Sequence, residues 1–186
     1  QRNFTAALKT EPNDFDSNYT LGLTAYNLEK FDEMIGAYQR SIEINPKHLG
    51  ARYNLALAMK RKGLFEEAAQ QAEEAKKIDS NDKDTNAMLA SVYDEWKADL
   101  LKKGSAAVTE DRLREAVDQW KKVLLIDSHN AEAQKYISDT EPIIEQRVKE
   151  LMVRGDKAYE EGAIATALDN WQQAAALDPT NTDVQA

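Results

Sequence analysis

The sequence predicts an all-α protein built by stacking helix–turn–helix repeats, two of them with elongated helices. Three observations carry this. Residues 19–46 read as two amphipathic stretches joined by a short turn and closed by a proline: Leu21, Gly22, Ala25 and Leu28 form one apolar face, and Phe31, Met34, Ile35, Tyr38 and Ile42 a second. Neither helix can bury its stripe alone, so each needs the other and a copy of the pair beside it. A shift of 34 residues brings up that copy: Leu21-Gly22 becomes Leu55-Ala56 and then Leu89-Ala90, while Phe31, Glu33 and Met34 become Phe65, Glu67 and Ala68. Composition agrees, with 7 glycines, 4 prolines and a predominance of Ala, Leu, Glu, Lys and Gln that favours helix nearly throughout.

Taken in order, residues 1–14 resemble the second helix of a preceding repeat, NFTAALKTEP standing where AYQRSIEINP stands later. A first complete unit is expected at 15–48, with Asp14 or Asp16 capping its first helix and Pro46 stopping its second. A second unit is expected at 49–82, with Gly63 in the inter-helix turn, where the absence of a Cβ makes a left-handed residue cheap. In the third, 83–130, Ala116 follows Ala68 by 48 residues, 14 more than the period. Two heptads shared between both helices would lengthen each by about two turns. The tip is expected at Gly104-Ser105, a new helix start at Thr109, Glu110 and Asp111, and packing of Trp96, Leu100 and Leu101 on Val108 and Leu113.

In the fourth unit, 131–181, Trp171 follows Trp120 by 51 residues, an excess of 17. Either one helix from about 131 to 161 continues through Pro142, or a short helix ends near Ser138 and another starts near Thr140. The continuous helix is favoured, because Ile144, Val148, Leu151, Gly155 and Ala158 keep the apolar phase beyond the proline. Gly162 is the expected turn and Pro179 the stop. Residues 182–186 begin a further helix.

The 33 acidic and 24 basic residues give a net charge of −9, which argues against a nucleic-acid backbone or an anionic membrane as main partner. With no cysteine, thiol catalysis, disulfides and thiolate metal sites are excluded, and cytoplasmic or extracytoplasmic compartments are equally allowed. No apolar run approaches the ~20 residues of a membrane span, so direct insertion is not expected. Catalytic, cofactor and metal sites are not expected either. His48 and His129 fall at inter-repeat turns, and DSNDKD at 79–84 lacks the turn glycine and the closing glutamate of a calcium loop. Phosphate loops and nucleophile elbows are missing.

The period and the marks Leu21-Gly22, Met34, Tyr38 and Pro46, then Leu55-Ala56, Ala68 and Ala72, then Gly155, Gly162, Ala167, Trp171 and Pro179 resemble the tetratricopeptide repeat. The aromatic expected early in each first helix is replaced by Asn18, Arg52 and Asn86. This resemblance implies a right-handed superhelical solenoid whose concave groove, lined by the first helices, holds a protein or peptide. Some members of the family clamp a chain-terminal carboxylate with Lys, Asn, Asn, Lys and Arg. Here only Asn54 matches, with Tyr19, Leu23, Asp84 and Met88 at the other positions, so that mode is not expected.

A helical wheel adds a second observation about the groove. Tyr19, Leu23, Tyr26 and Asn27 lie opposite the stacking face, and one repeat later Tyr53, Leu57, Lys60 and Arg61 follow. Such a surplus apolar stripe usually marks a binding surface. The expected groove is Tyr19, Leu23, Tyr26, Asn27, Tyr53, Asn54, Leu57 and Arg61. Its apolar members would hold partner side chains; Asn27, Asn54 and Arg61 would fix backbone or a carboxylate. The function expected is a non-enzymatic scaffold in a multiprotein assembly. The alternative is a structural protein that self-assembles through its end repeats. A docking role for the 104–108 segment, as the tip of a projecting hairpin, is a further expectation.

Overall fold

A computed structural model describes residues 14–181, and every regular element among them is a helix. In order these are α1 (Phe15–Asn27), α2 (Phe31–Ile44), α3 (Leu49–Arg61), α4 (Phe65–Ile78), α5 (Lys83–Thr109), α6 (Leu113–Ile126), α7 (Ala131–Glu160) and α8 (Ile164–Leu177). Except for Asp14, the expected segments at 1–14 and 182–186 lie outside the described residues. The chain divides into two compact units, Gln1–Trp96 and Lys97–Ala186, and the division falls inside α5.

In the first unit, α1 begins because the Asp14 carboxylate accepts the Ser17 backbone N–H at 2.8 Å, satisfying one of the donors a helix start leaves over. His48 does the same for α3, its Nδ1 accepting from the Ala51 N–H at 3.0 Å. Each hairpin turns through one left-handed residue, Glu29 (φ 55°) between α1 and α2 and Gly63 (φ 74°) between α3 and α4. Helices α1 to α4 pack successively on one another. Met34, Tyr38, Leu55 and Val92 are buried among the alanines Ala25, Ala51, Ala56, Ala68 and Ala72. Burial of a side chain such as Met34 is worth about 2 kcal/mol.

Small residues set how closely the helices approach. A Cβ on Gly22 would lie 2.6 Å from Tyr38 Cζ, so the glycine admits the fully buried ring. Two of the three polar residues that stand where an aromatic was expected bridge the hairpins, while Asn86 Nδ2 donates to the Ser80 carbonyl in the preceding turn at 3.0 Å. Asn18 is buried and its Oδ1 accepts from Arg40 Nε at 2.9 Å; Arg52 Nη1 donates to Gln71 Oε1 at 3.0 Å. Leu28, assigned from the sequence to the stacking face, is instead the α1 C-cap and 50% exposed.

The third unit corrects the sequence expectation. All of the extra length goes into the first helix: α5 has 27 residues, while α6 has the same 14 as α2 and α4. The turn lies at residues 110–112 around left-handed Asp111 (φ 59°), not at Gly104-Ser105, and α6 starts at Leu113 rather than near Thr109. Gly104 is inside α5, where a Cβ would collide with the Trp120 indole. Val108 therefore remains on the outgoing helix and is exposed, and the segment 104–108 is not a tip. Leu100 and Leu113 are buried in the second unit, whereas Trp96 packs beside Tyr93 against the core of the first. The third copy of the small residue is accordingly Gly104; Ala90 is exposed.

In α7 the helix continues through Pro142 for 30 residues. Proline there deprives the Ser138 carbonyl of its donor, and both residues are exposed, so water can take its place. One face, Ala133, Ile137, Thr140, Ile144, Val148, Gly155 and Ala158, stays buried along the whole length. Its early part meets α6, with Trp120 on Tyr136 and Lys121 paired to Glu141 at 2.9 Å. Its later part pairs with α8 through Gly155 and Trp171. Gly162 (φ 79°) makes the turn between them.

Candidate functional site

The eight groove residues all lie in the first unit, on α1 and α3, and they divide into two groups. Tyr19 is half-buried among rings, 5.7 Å from Phe15, 5.4 Å from Tyr38 and 5.1 Å from His48 by centroid, and its hydroxyl accepts from Asn54 Nδ2 at 3.3 Å. Tyr53 and Leu57 are partly buried against the core. These four shape the floor. Leu23 (43% exposed), Tyr26 (41% exposed), Asn27 and Arg61 open to solvent.

Local sequence explains the division. On α1, Asn18, Gly22 and Ala25 point into the hairpin, so Tyr26, Leu23 and Asn27, about 70° to 170° further round, point out. On α3, Ala51, Leu55, Ala58 and Met59 are buried, and Arg61 falls at the exposed last residue. Lys60, its neighbour, is occupied: its Nζ donates to Ser91 Oγ at 2.7 Å and pairs with Glu95 at 2.7 Å. Arg61 makes no ion pair among the described residues.

Electrostatics at the floor follow from burial. Burial, aided by the neighbouring Tyr19 and opposed by a contact with Asn54, holds the Tyr38 hydroxyl well above the ordinary tyrosine range. Tyr53 is raised by burial, then by the negative charge of the Asp84 and Asp82 carboxylates and by Tyr26.

Tyr26, Asn27, Glu29, Phe31 and Arg61 line a recess of about 360 Å³. Glu29, from the α1–α2 turn, and Phe31, the first residue of α2, were not among the groove residues expected from the sequence. The signal for Glu29 lies in the period, since it stands 34 residues before Gly63, at the left-handed turn position. A second recess, about 400 Å³, lies in the other unit between Asp111, Arg147, Leu151, Arg154, Gln173 and Leu177. Several of its polar groups are engaged within the protein, Arg147 with Asp111 at 2.6 Å and Gln173 with Asp169 at 2.8 Å.

Among the described residues no group of three or more His, Cys, Asp or Glu gathers to hold a metal ion, and no helix is long and apolar enough to cross a membrane. His129 is exposed beside Ser128, and His48 serves as the α3 cap.

The tetratricopeptide-repeat family model matches residues 19–83. The chain is similar to the peroxisomal targeting signal receptor of Saccharomyces cerevisiae, 31% identical over 119 residues that cover 61% of this chain and 19% of the receptor. It is 35% identical over 80 residues to the photosystem I assembly protein Ycf3 of Acaryochloris marina, covering 41% of this chain and 45% of that protein. The chain thus spans about a fifth of the length of the yeast receptor it matches and under half of the assembly protein. A crystal structure of MamA protein aligns over 100% of this chain and 84% of its own, with 16% identity and a TM-score of 0.50, a likeness of fold alone.

Proposed function

We propose that this tetratricopeptide-repeat protein is a non-enzymatic scaffold that binds a peptide or helical segment of a partner along the face of α1 and α3, within a multiprotein assembly. The observation that carries the reading is the exposed row of Leu23, Tyr26, Asn27 and Arg61 beside a built floor of Tyr19, Tyr53, Asn54 and Leu57. Exposed apolar side chains next to free polar groups are what a peptide needs: pockets for its side chains and partners for its backbone. Two relatives from unlike systems, named a targeting-signal receptor and an assembly protein, match this chain over 119 and 80 residues, which supports recognition of protein partners and leaves the partner of this chain to be found.

The test is selection from a displayed random dodecapeptide library on the full chain, followed by fluorescence anisotropy of the enriched peptides against Leu23→Ala/Tyr26→Ala. Both positions are solvent-facing, so the melting temperature should hardly move while affinity falls at least tenfold. Enriched peptides that bind wild type and variant alike would remove the groove from the reading. Light scattering over a concentration series adds the other arm: a mass that grows with concentration would favour self-assembly through the end repeats.

A further inference from the structure

Among the described residues each hairpin turn places one residue in the left-handed region, and two of these four are not glycine. Gly63 and Gly162 are joined by Glu29 (φ 55°) and Asp111 (φ 59°), both acidic. A Cβ in that region clashes with the following carbonyl, so a side chain kept there should be one that glycine cannot replace. At Asp111 the reason is visible: its carboxylate holds Arg147 at 2.6 Å. Glu29 occupies the corresponding place in the first hairpin and makes no ion pair among the described residues.

Its neighbours are not short of partners. Lys30 pairs with Glu33 at 2.7 Å, Lys62 with Asp32, and Lys60 with Glu95. Glu29 and Arg61 line one recess with Tyr26, Asn27 and Phe31 without pairing to each other. One free carboxylate and one free guanidinium, set around two aromatic rings and an amide, complement a ligand with opposite charges on either side of an apolar group.

Resting on the groove reading above, we infer that this recess takes a partner segment presenting an apolar side chain flanked by one acidic and one basic residue. The acidic residue lies on Arg61, the basic residue on Glu29, and the apolar side chain between Tyr26 and Phe31. Asn27 is placed to bond the segment's backbone. Arginine suits the basic position, as Asp111 already shows with Arg147.

The experiment uses the full chain and the dodecapeptides enriched on it, after removal of any that also bind Leu23→Ala/Tyr26→Ala. The retained peptides should carry an acidic and a basic residue around an apolar one. Glu29→Gly should raise the melting temperature by relieving the backbone, yet weaken these peptides about threefold, the scale of one solvent-exposed ion pair. That loss should vanish for peptides whose basic residue is replaced by glutamine. Arg61→Gln should weaken the same peptides by a similar factor, and be silent when their acidic residue is neutralised. Retained peptides without the charge pair, or an unchanged affinity of Glu29→Gly, overturn the recess assignment while the groove stands. If no peptide distinguishes wild type from the Leu23/Tyr26 variant, both fall.

Discussion

Alanine at Gly104 and alanine at Gly155 should have different consequences, although both glycines sit inside a helix and under a tryptophan. The backbone contribution is the same for each: replacing a mid-helix glycine by alanine gains about 1 kcal/mol. The steric contribution differs. A Cβ on Gly104 falls within 3 Å of three atoms of the Trp120 indole, and a Cβ on Gly155 does the same to Trp171. Trp120 is 2% exposed and held against Tyr136 at 5.0 Å between centroids, so it has nowhere to go. Trp171 is half-buried, with its indole N–H on the exposed Asp156 carboxylate at 3.2 Å, and can swing outward. Overpacking a closed site costs about 1–3 kcal/mol, and at this degree of overlap the upper end applies. Gly104→Ala should therefore destabilise by about 1–2 kcal/mol net, and Gly155→Ala by about 0–0.5 kcal/mol. Urea unfolding in a Trp96→Phe background, followed by far-ultraviolet circular dichroism and by fluorescence of Trp120 and Trp171, measures both, the second probe reporting whether the loss is local to the second unit. A smaller ring should relieve the clash, so Gly104→Ala/Trp120→Phe should be less destabilised than the sum of its single changes. If Gly104→Ala is neutral or stabilising, as expected of a solvent-exposed tip, the placement of Gly104 beneath Trp120 is wrong.

Pro142→Ala should stabilise the second unit by about 1–3 kcal/mol, because it restores a donor to the Ser138 carbonyl in an exposed stretch where no packing is lost. A fall in the urea midpoint would show that the proline is needed for the path of α7. Acid should weaken the protein through its cap and turn carboxylates. Hydrogen bonds from Ser17, Thr85 and Thr180 hold Asp14, Asp82 and Asp178 below the ordinary aspartate value. Since their folded pKa values are depressed, their stabilisation is present above about pH 4 and is lost as pH falls through the folded values. Asp14→Asn should flatten part of that loss in acid-unfolding curves, and an unaltered acid limb would remove Asp14 from the account.

How far the candidate site could be read from the sequence depended on the kind of contact. The outward row Leu23, Tyr26, Asn27 and Arg61 follows from helical phase alone, and the structure places it in solvent. Tyr19 and Asn54 share that phase, but their bond to one another joins residues 35 apart, which no local pattern encodes. Glu29 and Phe31 enter the recess because the α1–α2 turn and the start of α2 lie beside the end of α3, again a relation between distant segments.

The 34-residue period, the apolar faces and the turn residues Gly63 and Gly162 determined helical hairpins from the sequence alone, because each acts over a few residues of one helix or turn. Where the additional 14 residues of the third unit go was decided by tertiary packing. A local reading allows Gly104 to be a helix end, since glycine permits one. Its separation of 16 residues from Trp120 repeats that of Gly22 from Tyr38 and of Gly155 from Trp171. Each of these pairs is a close approach of two helices, possible only where the missing Cβ faces a ring. Gly104 therefore stays within α5, and Asp111 takes the left-handed backbone of the turn. Helix content is thus written in local spacing, whereas the place where a helix ends depends on what packs against it.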